Sequence, residues 1–152
     1  MSFSLEGRVA IVTGGSRGIG QGIAEAFAAA GAAVVVTARS LDRVAPVAQG
    51  IEAAGGRALA IACHTGHDDQ VQALVETTVE QFGRLDILVN NAATNPHFGP
   101  SYTADVGVWA KTLDTNVLGY LRMTQAAIPA MAAAGGGKII NMASVAGLNP
   151  MP

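Results

Sequence analysis

Short apolar runs alternate along the chain with longer stretches in which apolar residues recur every three or four positions. Residues 8–13 (RVAIVT) form a β-branched run that ends in glycines, and residues 33–37 (AVVVT), 58–62 (ALAIA), 85–89 (LDILV) and 138–142 (KIINM) are runs of the same length. Each predicts a strand. Between them lie segments with helical spacing. Residues 19–30 are alanine-rich with Ile23 and Phe27 on one side and Gly31 as the stop. Residues 41–54 follow Ser40 as N-cap and end at Gly55-Gly56, with Pro46 expected to disturb the first turns. Residues 68–82 put Val71, Leu74, Val75, Val79 and Phe82 on one face and Asp68 and Asp69 at the positive end of the helix dipole. Residues 104–134 contain a long helix, with Thr103 as candidate N-cap, Pro129 near the end and Gly135-Gly136-Gly137 as the stop.

Strands alternating with helices in this way predict a parallel sheet covered by helices on both faces. The strands are almost wholly apolar, as strands buried on both faces must be. Right-handed crossovers then give an α/β, doubly wound, Rossmann-type sheet in the order 3-2-1-4-5, truncated after the fifth strand.

Composition adds limits. The 152 residues fit one domain. Half of them are hydrophobic and 13% are charged, against a usual charged share of about 25%. That balance predicts a large core and a surface poor in charge, suited to meeting other subunits or to packing against further pieces of a core. The net charge of −2 and the lack of a basic run argue against a nucleic-acid partner. Cys63, the single cysteine, has no disulfide partner and sits in an apolar run, where a packed thiol is expected rather than a nucleophile. The first residues lack a basic segment followed by an apolar one. The uncharged stretch 123–137 is interrupted by Gln125, Pro129 and glycines. No membrane partner is expected, and a cytoplasmic protein is the default.

The first strand runs into Thr13-Gly14-Gly15-Ser16-Arg17-Gly18-Ile19-Gly20. Glycines between a strand and a helix let the backbone turn tightly and let a pyrophosphate approach without meeting a Cβ. The helix start directs free N–H groups and a positive dipole end at that phosphate. A plain structural turn is the alternative. A P-loop is excluded, because no Gly-Lys-Ser/Thr follows.

The spacing Thr-Gly-x-x-x-Gly-x-Gly resembles the short-chain dehydrogenase/reductase family, and other matches follow in order. Asn90-Asn91-Ala92-Ala93 closes the fourth strand and is similar to the family's Asn-Asn-Ala-Gly. Asn116, in Asn-Val-Leu-Gly, resembles the asparagine of its catalytic helix. Ser144, in Ile-Ile-Asn-Met-Ala-Ser, resembles its catalytic serine. The resemblance covers nearly the whole chain, which is about three-fifths of a usual family domain. It implies an incomplete dinucleotide-binding Rossmann domain over residues 1–152. It also implies a coenzyme held by Gly14, Ser16, Arg17, Gly18, Ile19, Gly20, Arg39, His64, Thr65, Asn91, Ala92 and Ala93.

NAD-binding members place a carboxylate at the end of the second strand to hold the ribose hydroxyls. That place reads Thr37-Ala38-Arg39-Ser40 here. An acid would repel a 2′-phosphate, whereas Arg39 and Arg17 would grip one by charge-assisted hydrogen bonds. NADP(H) is therefore the expected coenzyme, with NAD(H) compatible. Each arginine alone would pass for a solvated surface cation. Where the family has an adenine-contacting aspartate, this chain has Cys63-His64-Thr65-Gly66. His64 is expected to stack on or hydrogen-bond to the adenine, and the Thr65 backbone to keep its contact. His64 and His67 have metal-like spacing but no third ligand beyond Cys63 or Asp68, so no metal is expected.

The resemblance implies hydride transfer between a nicotinamide and a carbonyl/alcohol pair on a small molecule. Ser144 would donate to the substrate oxygen, and Asn116 would hold a water or backbone in a proton relay. Their plainer roles are a turn-capping hydroxyl and a back-bonded helix asparagine. The family's proton donor is a tyrosine with a lysine four residues on. Tyr102 and Tyr120 are followed at that distance by Val106 and Thr124, so the chain contains no such pair. A truncated chain is expected, inactive by itself and poorly soluble or partly ordered through an open fifth strand. A non-catalytic nucleotide-binding fragment or an assembly partner is the alternative function. The loop 94–100, with Phe98 and then Tyr102, is expected to line the substrate pocket. The complete protein is expected to be a homo-oligomer, assembled through its long helices.

Overall fold

A computed structural model of the chain describes residues 3–148. Its strands are β1 (Val9–Thr13), β2 (Ala33–Ala38), β3 (Arg57–Ala62), β4 (Ile87–Asn90) and β5 (Lys138–Asn141). They form one parallel sheet in the order β3-β2-β1-β4-β5. Every expected strand is present within two residues of its sequence bounds, and the strand order is the one the crossover rule gives. Central Val12 is in register with Val36 on one side and Val89 on the other.

Helices α1 (Gly18–Ala29), α2 (Leu41–Ala53) and α3 (Asp68–Phe82) follow the first three strands. Strand side chains alternate between two cores. Ala10, Val12, Val34 and Val36 pack with Ala24 and Ala28 of α1 and Val44, Val47 and Ile51 of α2. Ile11, Val35 and Leu88 pack on the other face with Val71, Leu74 and Val75 of α3 and with Met123, Ala127 and Met131. This two-sided burial is why the inner strands are apolar at every position. Cys63 lies in the second core at 2% exposure, and burial pushes its thiol up to about 11, so it stays protonated and unreactive at neutral pH.

Three helix signals differ from expectation. Ser40 occupies the N-cap position of α2, but its hydroxyl engages the Asp42 carboxylate instead of a backbone N–H. Pro46 does not break α2, which runs unbroken through it. Pro46 and Asp42, whose carbonyl loses the i→i−4 partner, both face outward on the exposed side. The third helix signal to differ is the cap of the long helix. Thr103 does not cap it; its hydroxyl donates to the Pro100 carbonyl at 2.7 Å in a 3₁₀ turn, Ser101–Thr103. The cap is Asp105, whose carboxylate accepts the Val108 N–H at 2.9 Å. The helical stretch then comprises α4 (Val106–Leu113), a π-helical turn (Asp114–Leu118) and α5 (Gly119–Ala133). Among the described residues, no helix is long and apolar enough to cross a membrane.

Asp86 ties the amino-terminal edge of the sheet together. It is buried just before β4, accepting from Val9 N–H at 3.0 Å, Arg8 at 2.9 Å and Arg84 at 2.6 and 2.8 Å. Burial pushes its carboxyl up, but the hydrogen bonds from Arg84, the Val9 amide and Arg8 outweigh that and hold it below its ordinary value.

Candidate functional site

At the carboxyl edge of the sheet the strand ends are bonded to one another. Gly15 N–H donates to Thr37 O at 3.0 Å, Cys63 N–H to Ala38 O at 2.9 Å, and Met142 N–H to Asn90 O at 2.9 Å. The segments carrying the glycine turn, Arg39, His64, Asn91 and Ser144 therefore all leave the same edge. Open parallel sheets bind ligands there, beside the point where the strand order reverses, which here lies between β1 and β4.

The glycine turn is tightly held. Gly14 and Gly18 have φ of +64° and +56°, a region that disfavours any side chain. A Cβ at Gly20 would run into the Gly14 carbonyl and lie 2.5 Å from the Asn91 amide nitrogen. Thr13 Oγ1 donates to Val89 O at 3.2 Å and accepts the N–H groups of Asn91 and Ala92 at 2.9 and 3.1 Å. Asn91 Nδ2 donates to Thr13 O and Gly14 O at 3.0 and 3.2 Å. The Asn91 side chain is thus committed to holding the turn. Gly14 also meets Ala92 directly, since a Cβ on it would lie 2.9 Å from the Ala92 Cα.

Helix α1 starts without a side-chain cap and without an acid in its first turn. Its first N–H groups are thus free of side-chain partners, under an undiluted positive dipole end. Arg17 and Ile19 are exposed beside them and Ser16 is half-buried. Arg39 is exposed beyond β2. The first acid after it, Asp42, is taken up by Ser40, and that hydrogen bond holds its carboxyl below the ordinary value. The hydroxyl oxygen of Thr37 is buried and without a hydrogen-bond partner.

His64 Nδ1 accepts the Gly66 N–H at 3.0 Å, and the His64 N–H donates to Gln70 Oε1 at 2.8 Å. Its ring stands edge-on to His67 with centroids 4.8 Å apart. Burial, then His67 and Arg39, lower its pKa against the opposing pull of Asp114, so the imidazole is neutral at pH 7. Thr65 is buried, and a Cβ on Gly119 would lie 2.9 Å from its hydroxyl. No cluster of three His, Cys, Asp or Glu side chains suited to a metal occurs among the described residues.

Asn116 lies in the π-helical turn, not in regular α-helix. Its amide spans to the loop after β4, accepting the Thr94 N–H at 2.8 Å and donating to Thr94 O at 2.9 Å. Ser144 follows β5, and its Oγ accepts the Ala146 N–H at 3.1 Å. Among the described residues no hydrogen bond joins it to Asn116. Tyr120 donates to Met142 O at 3.3 Å, and burial raises its phenol above the ordinary value, so it remains a donor. Tyr102 is 88% exposed, and Phe98 and Ala93 are exposed as well.

Sequence spacing did not single out Asp114 or Arg122, whose pairing with each other and with Asp68 appears only in the folded chain.

The strand order, the glycine turn and the uncapped α1 define a Rossmann-type α/β domain. The family described as short chain dehydrogenase matches residues 8–152, and the chain belongs to that family. It is 40% identical over 146 residues to rabbit (Oryctolagus cuniculus) dehydrogenase/reductase SDR family member 4, covering 96% of this chain and 56% of the relative. It is 46% identical over 142 residues to an uncharacterised oxidoreductase of Methylorubrum extorquens, covering 93% and 56%. A putative short-chain alcohol dehydrogenase from Sinorhizobium meliloti superimposes with a TM-score of 0.92 at 41% identity, over 100% of this chain and 60% of that one. A metagenomic short-chain oxidoreductase in complex with NADP superimposes with a TM-score of 0.89 at 41% identity, over 97% and 66%. The chain spans about half the length of the curated relatives it matches, 56% in both cases above.

Proposed function

We propose that this chain is the NADP(H)-binding portion of an oxidoreductase that transfers hydride between a carbonyl and an alcohol on a small molecule. One observation carries the coenzyme assignment. The uncapped amino end of α1 lies under a cradle with no room for a Cβ at Gly14 or Gly20, flanked by exposed Arg17 and Arg39, with no free carboxylate at the end of β2. The cradle fits a diphosphate, and the two guanidinium groups fit an additional phosphate on the adenosine side. The NADP bound to the metagenomic relative supports the same choice.

A bound nicotinamide would supply or accept the hydride. Ser144 accepts a hydrogen bond from Ala146, which leaves its O–H proton free to donate to a substrate oxygen. Asn116 holds the Thr94 backbone, and so the start of the loop proposed to line the substrate pocket. The neutral His64 stands where it can face the adenine. The chain itself contains no Tyr-x-x-x-Lys, which favours a second reading for these 152 residues alone: a nucleotide-binding module without turnover.

Calorimetric titration of the purified chain tests the coenzyme choice. NADPH is expected to bind at least tenfold more tightly than NADH, and Arg39→Ala is expected to remove most of that margin, since losing one charge-assisted hydrogen bond costs about 1.5–3 kcal/mol. Equal affinity for the two coenzymes would defeat the NADP assignment, and binding of neither would defeat the functional reading. NADPH oxidation with a panel of carbonyl compounds separates the reductase from the binding module.

A further inference from the structure

We propose that Arg122 is a positioning residue, whose ion pair with Asp114 holds open the π-helical turn that presents Asn116 to the backbone of Thr94. Arg122 Nη2 donates to Asp114 Oδ1 at 2.8 Å, and Arg122 Nε lies 3.4 Å from Asp68 Oδ1 at the start of α3. Asp114 and Arg122 are eight residues apart. In an uninterrupted α-helix that separation leaves two side chains about 80° out of line. A turn widened to i→i+5 hydrogen bonds takes up most of that offset and brings them onto one face. The widened turn therefore favours the ion pair, and the ion pair in return favours the widened turn. Asn116 sits inside the widened turn, so its reach to Thr94 depends on the same distortion.

The surroundings place this turn against the segment proposed to face the coenzyme. A Cβ on Gly66 would lie 3.3 Å from Asp114 Oδ2 and 3.0 Å from the His64 ring. Gly119, which ends the turn, abuts the Thr65 hydroxyl. Asp114 thus directs one oxygen toward the 64–67 loop and the other to Arg122. Stability alone gives a weak reason for this arginine. Its side chain is 24% exposed, its Asp68 partner is 87% exposed, and its Nη1 is buried with no hydrogen-bond partner. A partly desolvated, incompletely paired guanidinium contributes little net stability.

The functional meaning of this role rests on the oxidoreductase reading above, but its test does not need coenzyme. Amide hydrogen exchange is followed by NMR on the purified chain and on Arg122→Met and Asp114→Asn, with Val35 and Leu88 in the central strands as reporters of the fold. Both variants are expected to speed exchange at the Thr94 N–H by roughly five- to thirtyfold relative to those core amides, the range for loss of one or two modest interactions. Arg122→Lys, which keeps the charge, is expected to recover part of the protection. A Thr94 rate within about twofold of the parent in either folded variant overturns the proposal. Equal acceleration of Thr94 and the core amides also overturns it, because that marks a purely stabilising residue. If Arg122→Met does not fold, Asp114→Asn decides, since it removes the same pair and leaves Arg122 its contact with Asp68. NADPH titration of the same samples keeps the two readings apart. A parent chain that binds no NADPH removes the functional reading and leaves the exchange result standing.

Discussion

Two glycines two residues apart, on opposite sides of α1, do opposite things. At Gly20 a Cβ would meet the Gly14 carbonyl and the Asn91 amide, while at Gly22 nothing lies within 4 Å. Gly20→Ala is expected to destabilise the fold by about 1–3 kcal/mol, as overpacking does, and to disturb the phosphate cradle. Gly22→Ala is expected to stabilise it by about 0.5–1 kcal/mol through helix propensity. Urea unfolding of the two variants checks both signs. Asp86 makes a second residue-scale case. Losing it strips a buried Val9 N–H and two arginines of their acceptor, so Asp86→Ala is expected to cost about 3 kcal/mol. Its folded carboxyl is held below the unfolded value of 3.8, so its contribution is present in full above that value and is lost as pH falls through the lower, folded one. The parent's unfolding midpoint should therefore drop more steeply than the variant's as pH falls below about 4.

At the scale of an element, the start of the long helix shows what local sequence leaves open. Thr103 and Asp105 are both good caps by residue type. The 3₁₀ turn at Ser101–Thr103 uses the Thr103 hydroxyl, which leaves the role to Asp105. Asp105→Ala is expected to cost about 1 kcal/mol and Thr103→Ala distinctly less, measured as shifts in denaturation midpoint. The π-helical turn had no sequence signal, because no glycine or proline marks it within residues 114–118. It depends on Arg122 eight residues from Asp114, and on Thr94 across a loop. The family motif pointed to Asn116 as a candidate. Its actual partner was not legible, being 22 residues away. Ser40 was legible as a cap position, but whether its hydroxyl would turn to the backbone or to Asp42 was not.

For the molecule as a whole, the surface carries more apolar side chains than a lone globule needs. Trp109 and Leu113 of α4, Val117 of the π-helical turn, and Leu121 and Ile128 of α5 are all exposed, at spacings of four and seven that keep them on one side. Strand β5 forms an edge of the sheet, with Ile140 41% exposed. An exposed apolar α4–α5 face is suited to packing against a like chain or against further parts of the protein, and the first of these can be tested. Leu121→Lys is expected to lower self-association while leaving the far-ultraviolet circular dichroism unchanged, with sedimentation velocity over a concentration series as the readout. A parent that sediments as a monomer at every concentration would count against this assembly.

The sequence by itself determined the five strands, their order, the glycine turn into α1 and the lack of an acid at the end of β2. Those features arise from apolar periodicity, chain handedness and residue types within a few positions of one another, so local composition suffices to specify them. Only the tertiary structure decided that Asn91 is spent on the turn, that Asp86 closes the opposite edge, that Asp105 is the cap, and that the long helix widens at Asp114–Leu118. Each of these rests on which of several chemically equal donors and acceptors lies within bonding distance after the chain has folded. Except at the Asp105 cap, that choice brings together groups from elements far apart in sequence.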